Sequence, residues 1–396
     1  MKGTGERLQR NKRSFLAPRR VLPVVLAAAV SWAFLSCGRI SSRIPPEVEG
    51  VVERIGQRYA PDRRVTLYEI HLHKKGDQII VSGELIDGKL ESVLLDSLRR
   101  LGARYEFVDN IRVLPGPELA PKSYGIVDVT VANIRREPKN QAELVNQAVF
   151  GTVVRLFKRE KGYFYIQNWD RYLGWMSKAS FQQVDSLRAG AWRTGDRLVV
   201  TAEYAKVWSR PGGKGELLAR VVPTSVLLKR GREGSYYQVE LPSGTLGYVA
   251  AAAVLPESQL NRIHPTREGI VKTAKSFLRV PYLWGGTSVY GFDCSGFVQT
   301  VFRLNNVSLP RDASQMVRLG TEVSPGEHFE KVLPGDLLFF GPKPDRITHV
   351  GLSLGGALFI HEDAEVHINS LDPAHPLFNE YRRKTFRKVK RILQDE

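Results

Sequence analysis

Few side chains in this sequence can do covalent chemistry. Of two cysteines, Cys37 and Cys294, only Cys294 lies outside the apolar stretch near the first residue. It stands in Asp293-Cys294-Ser295-Gly296, and the apolar residues that follow, Phe297, Val298, Val301 and Phe302, recur at helical spacing. Asp293 is a good capping residue directly before that run. The pattern predicts a thiol on the first residue of a helix, where unpaired N–H groups and the positive end of the macrodipole favour thiolate. With a base nearby, such a group is a nucleophile. The competing reading is a buried structural thiol, as most free cysteines are. The polar and glycine neighbours of Cys294 argue against a smooth apolar packing position.

The base must come from eight histidines. His264 stands in a linker, His328 in a polar loop, and His367 and His375 in a charged region. His71 and His73 share one strand face with no third ligand in view, which reads as a solvated face rather than a metal site. His349 and His361 differ. They lie in two strand-like runs, residues 348–354 and 357–362, divided by Gly355-Gly356, so a hairpin brings both imidazoles together. Parity then constrains the turn, because opposed residues of an antiparallel pair share a face and their numbers have a constant sum. A two-residue Gly355-Gly356 turn opposes His349 to Glu362 and sends His361 to the other face. The expectation is therefore an odd loop, Leu354-Gly355-Gly356 closed by Ser353 and Ala357, which pairs His349 with His361.

Six separated strings accompany these residues: Pro281-Tyr282-Leu283-Trp284-Gly285-Gly286, Asp293-Cys294-Ser295-Gly296-Phe297, Pro310-Arg311-Asp312, Pro334-Gly335-Asp336-Leu337, His349-Val350-Gly351 and Phe359-Ile360-His361. In order and spacing they resemble the NlpC-type family of papain-like cysteine peptidases, over some 130 residues from about His264. The resemblance implies Cys294 as nucleophile, His349 as general base, His361 as the third member that orients it, and a thioester intermediate. It also implies that Tyr282, whose hydroxyl would join the Cys294 N–H, stabilises the oxyanion, and that no metal or organic cofactor is used. A histidine in third place needs its own tautomer fixed. Glu362 is adjacent but should point the other way, and the sequence names no partner. His361 as a satisfied core histidine and Tyr282 as part of a packed strand stay open. Asp336, in a Pro-Gly-Asp turn before an apolar run, reads as structural.

The elements that carry these residues fall into a multidomain chain. Residues 45–118 read as a small α+β domain. Beyond it, a shift of 73 residues superposes the sequence on itself without a gap: Ala132 meets Ala205, Pro138 meets Pro211, Glu143-Leu144 meets Glu216-Leu217, and Leu173-Gly174-Trp175 meets Leu246-Gly247-Tyr248. Each copy, 124–185 and 196–256, is a run of short alternating segments that predicts a small β-barrel. The string Tyr172-Leu173-Gly174-Trp175 resembles bacterial SH3-like domains, so the expectation is two SH3-like barrels followed by a papain-like α+β peptidase domain over 264–396. Relatives with this barrel pair resemble γ-D-glutamyl-L-diamino acid endopeptidases acting on muropeptides with a free N-terminal L-Ala. There the first barrel receives the substrate's amine, which carries over to Glu143 and Tyr172, with Asp293, Ser295 and Asp312 completing the pocket. Tyr172 falls on Thr245 under the shift, so only the first barrel holds acid and tyrosine together. A solvated charge is the plainer reading of Glu143.

Residues 1–37 read as a signal segment: a basic head, an apolar run from Val21 to Leu35 too short for a comfortable membrane span, then Ser36-Cys37. The ending resembles a lipobox, which makes Cys37 a lipid attachment site and the chain an exported, membrane-anchored protein of the cell envelope; plain secretion is the alternative. The formal charge of +17 falls to about +11 without the first twenty residues. The remaining basic residues are scattered, with no zinc-finger spacing or aromatic RNA-binding signature, which speaks against nucleic acid. The expected partners are peptidoglycan-derived peptides and a membrane, and the expected state is a monomer. Two rivals compete: a wall-binding scaffold with an inactive peptidase domain, and an amidase or acyltransferase on the same fold.

Overall fold

A computed structural model describes residues 43–394. Residues 1–37, read from the sequence as a signal segment, and Cys37 with them, lie outside the described residues. The first elements are helix α1 (Pro46–Tyr59), strands β1 (Tyr68–Lys75) and β2 (Gln78–Leu85), helix α2 (Gly88–Arg99) and strand β3 (Glu106–Val113). The strands form one sheet in the order β1-β2-β3, with β3 parallel to β2 as its crossover helix requires. Leu90, Leu94 and Leu98 of α2 close a core with Val48, Val51, Ile79 and Val81. His71 and His73 are exposed on β1.

Two seven-stranded sheets follow. The first comprises β4 (Tyr124–Val127), β5 (Val131–Arg135), β6 (Leu144–Val149), β7 (Val153–Glu160), β8 (Tyr163–Gln167), β9 (Leu173–Ser177) and β10 (Phe181–Val184). Helix α3 (Ser186–Thr194) leads to the second: β11 (Arg197–Val200), β12 (Ala205–Arg210), β13 (Lys214–Val221), β14 (Val226–Glu233), β15 (Tyr236–Glu240), β16 (Leu246–Ala250) and β17 (Val254–Pro256). The sheets share one strand order, and β4, β7, β8 and β9 fall residue for residue on β11, β14, β15 and β16 under the 73-residue shift.

The remaining elements are helices α4 (Glu257–Leu260) and α5 (Arg267–Ser276), the short strands β18 (Thr287–Ser288) and β19 (Gly291–Phe292), helices α6 (Cys294–Leu304) and α7 (Ala313–Met316), strands β20 (Thr321–Val323), β21 (Leu337–Phe340), β22 (His349–Gly355), β23 (Leu358–Glu362) and β24 (Val366–Ser370), helix α8 (Glu380–Thr385) and strand β25 (Phe386–Arg391). The large sheet runs β20-β25-β21-β22-β23-β24. Phe297, Val298, Val301 and Phe302 are fully buried, each contributing about 1.5–3 kcal/mol of burial. They pack on Val350, Leu352 and Ile360, one face of the β22–β23 hairpin. The opposite face carries Phe359 against Phe340 and Val389.

The hairpin differs from the expected loop. Gly351, not His349, stands opposite His361, and Ser353 faces Phe359 rather than closing on Ala357. A bulge between Ser353 and Gly355 takes up one residue, and the turn is Gly356-Ala357, with Gly355 at φ +106°. Because the register is displaced by two residues rather than one, parity survives and both histidines keep the same face.

Asp336 anchors β21 from the turn before it. It is fully buried; Oδ1 accepts from Arg391 Nε at 3.0 Å, and Oδ2 from Arg391 Nη2 and the Leu333 N–H at 2.9 Å each. Removing one partner of a buried pair typically costs about 3–5 kcal/mol. Asp336→Ala should lower the unfolding free energy by about that much, and Asp336→Asn by less. Urea titration of both variants checks this; a loss under about 1 kcal/mol for the alanine variant would show the pair to be a minor contact.

Candidate active site

Cys294 opens α6, as its motif requires. Asp293 Oδ1 accepts from the Gly296 N–H at 2.7 Å, capping the helix, and Oδ2 accepts from the Gly285 N–H at 3.0 Å. Two motif glycines answer to space. A Cβ on Gly296 would lie 2.0 Å from the Gly286 carbonyl oxygen, and one on Gly285, at φ +76°, would lie 2.5 Å from the Leu144 carbonyl of β6. The nucleophile's strand–turn–helix unit thus sits directly on the first seven-stranded sheet.

A cleft of about 290 Å³ opens at this junction. It is lined by Arg64, Arg136, Glu143, Tyr172, Tyr282, Trp284, Asp293, Cys294, Ser295, Asp312 and His349, among others. All the candidate catalytic and substrate-binding residues except His361 therefore face one space, and His361 stands behind His349. Trp284, which the sequence reading left without a role, donates Nε1–H to Glu143 Oε1 at 3.0 Å.

The histidine pair has a direction. His349 Nε2 and His361 Nδ1 are 3.0 Å apart, and His361 Nε2 is 3.0 Å from Asn369 Oδ1. Asn379 fixes the sense: its Oδ1 accepts from the Arg382 N–H at 2.9 Å, so its Nδ2 is the donor to Asn369 Oδ1 at 2.7 Å. Asn369 Oδ1 is thus an acceptor, His361 donates Nε2–H to it, and His361 Nδ1 accepts from His349 Nε2–H. His349 Nδ1 is left with a lone pair. Asn369 is the partner that the sequence could not name. It was within reach of the same parity argument, because β24 places His367 opposite His361 and residue 369 on the same face.

His361, Asp363 and His367 also bring three metal-ligating atoms within 4.8 Å of one another. Arg382 Nη2 already donates to Asp363 Oδ2 at 2.9 Å, and both His361 nitrogens are engaged. The guanidinium supplies the cation that this cluster needs.

Opposing influences act on the thiol. Burial, and after it the Asp293 charge, pushes the Cys294 thiol up to about 12, against the opposing pull of the Val350 N–H, Arg311 and the Ser295 N–H. The capping carboxylate that makes the helix end also offsets its field at the sulfur. Burial, then Arg382, holds His349 well below its ordinary 6.5. Both shifts favour the neutral form of the group. Burial likewise keeps the Tyr282 phenol protonated far above its ordinary 10.0.

The substrate-side carboxylates are all paired. Arg311, 1 % exposed, donates Nη1–H to Asp293 Oδ1 at 2.9 Å and Nη2–H to Oδ2 at 2.5 Å. Its Nε reaches Asn146 Oδ1 of β6 at 3.0 Å, and Ser295 Oγ lies 3.2 Å from Asp293 Oδ1. Asp312 accepts from Arg64 at 2.7 Å and Tyr172 at 3.3 Å, and Glu143 from Arg136 at 2.6 Å. The sequence reading missed Arg64, Arg136 and Asn146, which come from other domains.

Residues 279–391 match the NlpC/P60 family. The dipeptidyl-peptidase 6 of Lysinibacillus sphaericus is 30% identical over 265 residues, covering 64% of this chain and 94% of that protein. The chain belongs to the NlpC/P60 family. It is a cysteine peptidase. Residues 134–181 match the bacterial dipeptidyl-peptidase Sh3 domain, so the first sheet is an SH3 barrel. The γ-D-glutamyl-L-lysine dipeptidyl-peptidase of Bacillus subtilis is 32% identical over 192 residues, 48% of this chain and 60% of that one. An NlpC/P60 crystal structure from Bacillus cereus, at 24% identity, shares the fold with a TM-score of 0.59 over 69% of this chain and all of that one.

Two measurements follow from the protonation states. With the thiol's pKa raised, the rate of Cys294 alkylation by iodoacetamide should climb with pH past 9; a plateau near neutral pH would reveal a preformed thiolate. Glu362 is fully buried, neither carboxyl oxygen has a partner among the described residues, and burial pushes it up to about 8. Unfolded, it ionises near its ordinary 4.5, so the folded state binds the extra proton between 4.5 and about 8 and loses stability as pH rises through that window. Glu362→Gln should flatten this slope in urea midpoints measured from pH 5 to 8, and an unchanged slope would assign it to other groups.

Proposed function

We propose that this peptidase hydrolyses the bond between γ-D-glutamate and a diamino acid in cell-wall peptides, releasing an N-terminal L-Ala-γ-D-Glu dipeptide. The observation that carries this reading is the lining of the cleft, where Arg64, Glu143, Tyr172 and Asp312 share one space with Cys294. Carboxylates gathered beside the nucleophile suit a short peptide with a free amine. The γ-D-glutamyl-L-lysine specificity named for the Bacillus relatives supports the same bond. The exported, envelope-facing location and the lipid on Cys37 belong to this proposal.

Catalysis then runs from a neutral pair. As Cys294 Sγ attacks the γ-carbonyl carbon, its proton passes to His349 Nδ1, and His361 with Asn369 holds the ring and stabilises the imidazolium. The Tyr282 hydroxyl and the Cys294 N–H donate to the developing oxyanion. The C–N bond breaks, the leaving amine takes the proton from His349, and a thioester remains. Water, deprotonated by His349, releases the dipeptide and restores the thiol. Asp293 and Ser295 act here by fixing the nucleophile, since their polar atoms are turned toward Arg311.

Glu143 receives the ammonium by exchanging it for Arg136, whose side chain is 64% exposed. The Arg136 pair is exposed and worth about 0.2–1 kcal/mol, so an arriving ammonium displaces it at little cost. An N-acylated substrate leaves Glu143 with Arg136 rather than orphaned, which puts discrimination near tenfold rather than a hundredfold.

Cys294→Ala should abolish release of L-Ala-γ-D-Glu from L-Ala-γ-D-Glu-L-Lys while the thermal melt stays that of the wild type. Residual turnover in that variant would remove Cys294 from the mechanism. Glu143→Gln should reduce the preference for the free over the N-acetylated tripeptide by about tenfold, read as the ratio of kcat/KM values. If the ratio does not move, Glu143 does not receive the amine.

A further inference from the structure

Arg64 belongs to the segment between α1 and β1, outside both family matches, which cover 134–181 and 279–391. Its guanidinium nevertheless lines the cleft. Nη1 donates to Asp312 Oδ2 at 2.7 Å and to Ser314 Oγ at 2.9 Å, while Nε and Nη2 take the two oxygens of Asp62 at 2.8 Å each. Asp62 also accepts from Gln315 Nε2 at 2.8 Å. The backbone is pinned from the other side: the Leu173 N–H donates to the Arg64 carbonyl at 2.7 Å, and Gln167 Nε2 to the Val65 carbonyl at 3.1 Å. The segment is a strut between the SH3 barrel and α7.

Two consequences follow from this bonding. Arg64 turns Nε and Nη2 to Asp62 and Nη1 to Asp312 and Ser314, so four of its five N–H donors are engaged within the protein and little is left for a substrate carboxylate. It also occupies Asp312, a carboxylate that would otherwise attract an ammonium arriving from the cleft. We propose that Arg64 is a specificity-determining residue that ends the cleft two residues before the scissile bond, making the enzyme release dipeptides. The role rests on the dipeptide-releasing reading above. Space and charge act together, because a peptide longer by one residue meets a guanidinium where it needs room and where its ammonium needs an anion. Removing the side chain supplies both.

The test compares L-Ala-γ-D-Glu-L-Lys with the same peptide extended by an N-terminal glycine. The wild type should use the extended peptide with kcat/KM at about a tenth or less of the other. Arg64→Ser should raise the extended-to-unextended ratio by about tenfold or more, with Arg64→Lys intermediate, since lysine keeps a cation at Asp312 but lacks the planar fork. An unchanged ratio in a serine variant with a wild-type melt overturns the role of Arg64 alone. Should the serine variant not fold, equal use of both peptides by the wild type overturns it. A wild type inert toward both fails the functional reading, and this inference with it.

Discussion

The buried pair between Arg311 and Asp293 is the interaction on which the site depends. A guanidinium 1 % exposed is tolerable only when its donors are satisfied, and here Asp293, Ser295 and Asn146 take them. Asp293 meanwhile caps α6 and holds the Gly285 N–H. One carboxylate therefore sets the start of the nucleophile's helix, the loop before it and the contact with the SH3 barrel. Loss of any member leaves a buried charge or donor without a partner. The position of Cys294 is as fixed as the domain junction itself.

From that fixed sulfur the chemistry extends across the sheet rather than along it. β22 and β23 bring His349 and His361 to one face, and β24 adds Asn369, which α8 orients through Asn379 and the Arg382 N–H. A helix N–H at the far end thus decides which nitrogen of His349 can take a proton. Burial and the Asp293 carboxylate both oppose a standing thiolate at the sulfur.

Local patterns in the sequence were enough for the helix start at Cys294, the shared face of the two histidines and the 73-residue repeat, since each rests on spacing within one segment. The hairpin register was not legible: a bulge at Leu354 spends one residue, and nothing in Ser-Leu-Gly-Gly-Ala distinguishes a bulge from a wider loop. Burial and the Asp293 charge, which oppose the helix field at the Cys294 thiol, are set by tertiary packing and leave no mark on the local spacing. Arg64, Arg136 and Asn146 were invisible for a different reason. They reach the site from other domains, and a sequence gives no measure of which surfaces meet.

On the proposed reading, the arginines around the cleft also decide which acid can bind a substrate amine. Three carboxylates line the cleft, and each already has a guanidinium, so recognition has to proceed by exchange. Arg311 cannot leave Asp293 without exposing a buried charge that about 3–5 kcal/mol of compensation would not easily replace. Arg64 is tied by Asp62 as well as Asp312, so its departure breaks both. Arg136 is largely solvated and holds Glu143 through one exposed pair, which gives way at a cost of about 0.2–1 kcal/mol. Glu143 is therefore the one acid of the three whose counter-ion the solvent can take over. The graded burial of three arginines, rather than the placement of the carboxylates, singles it out.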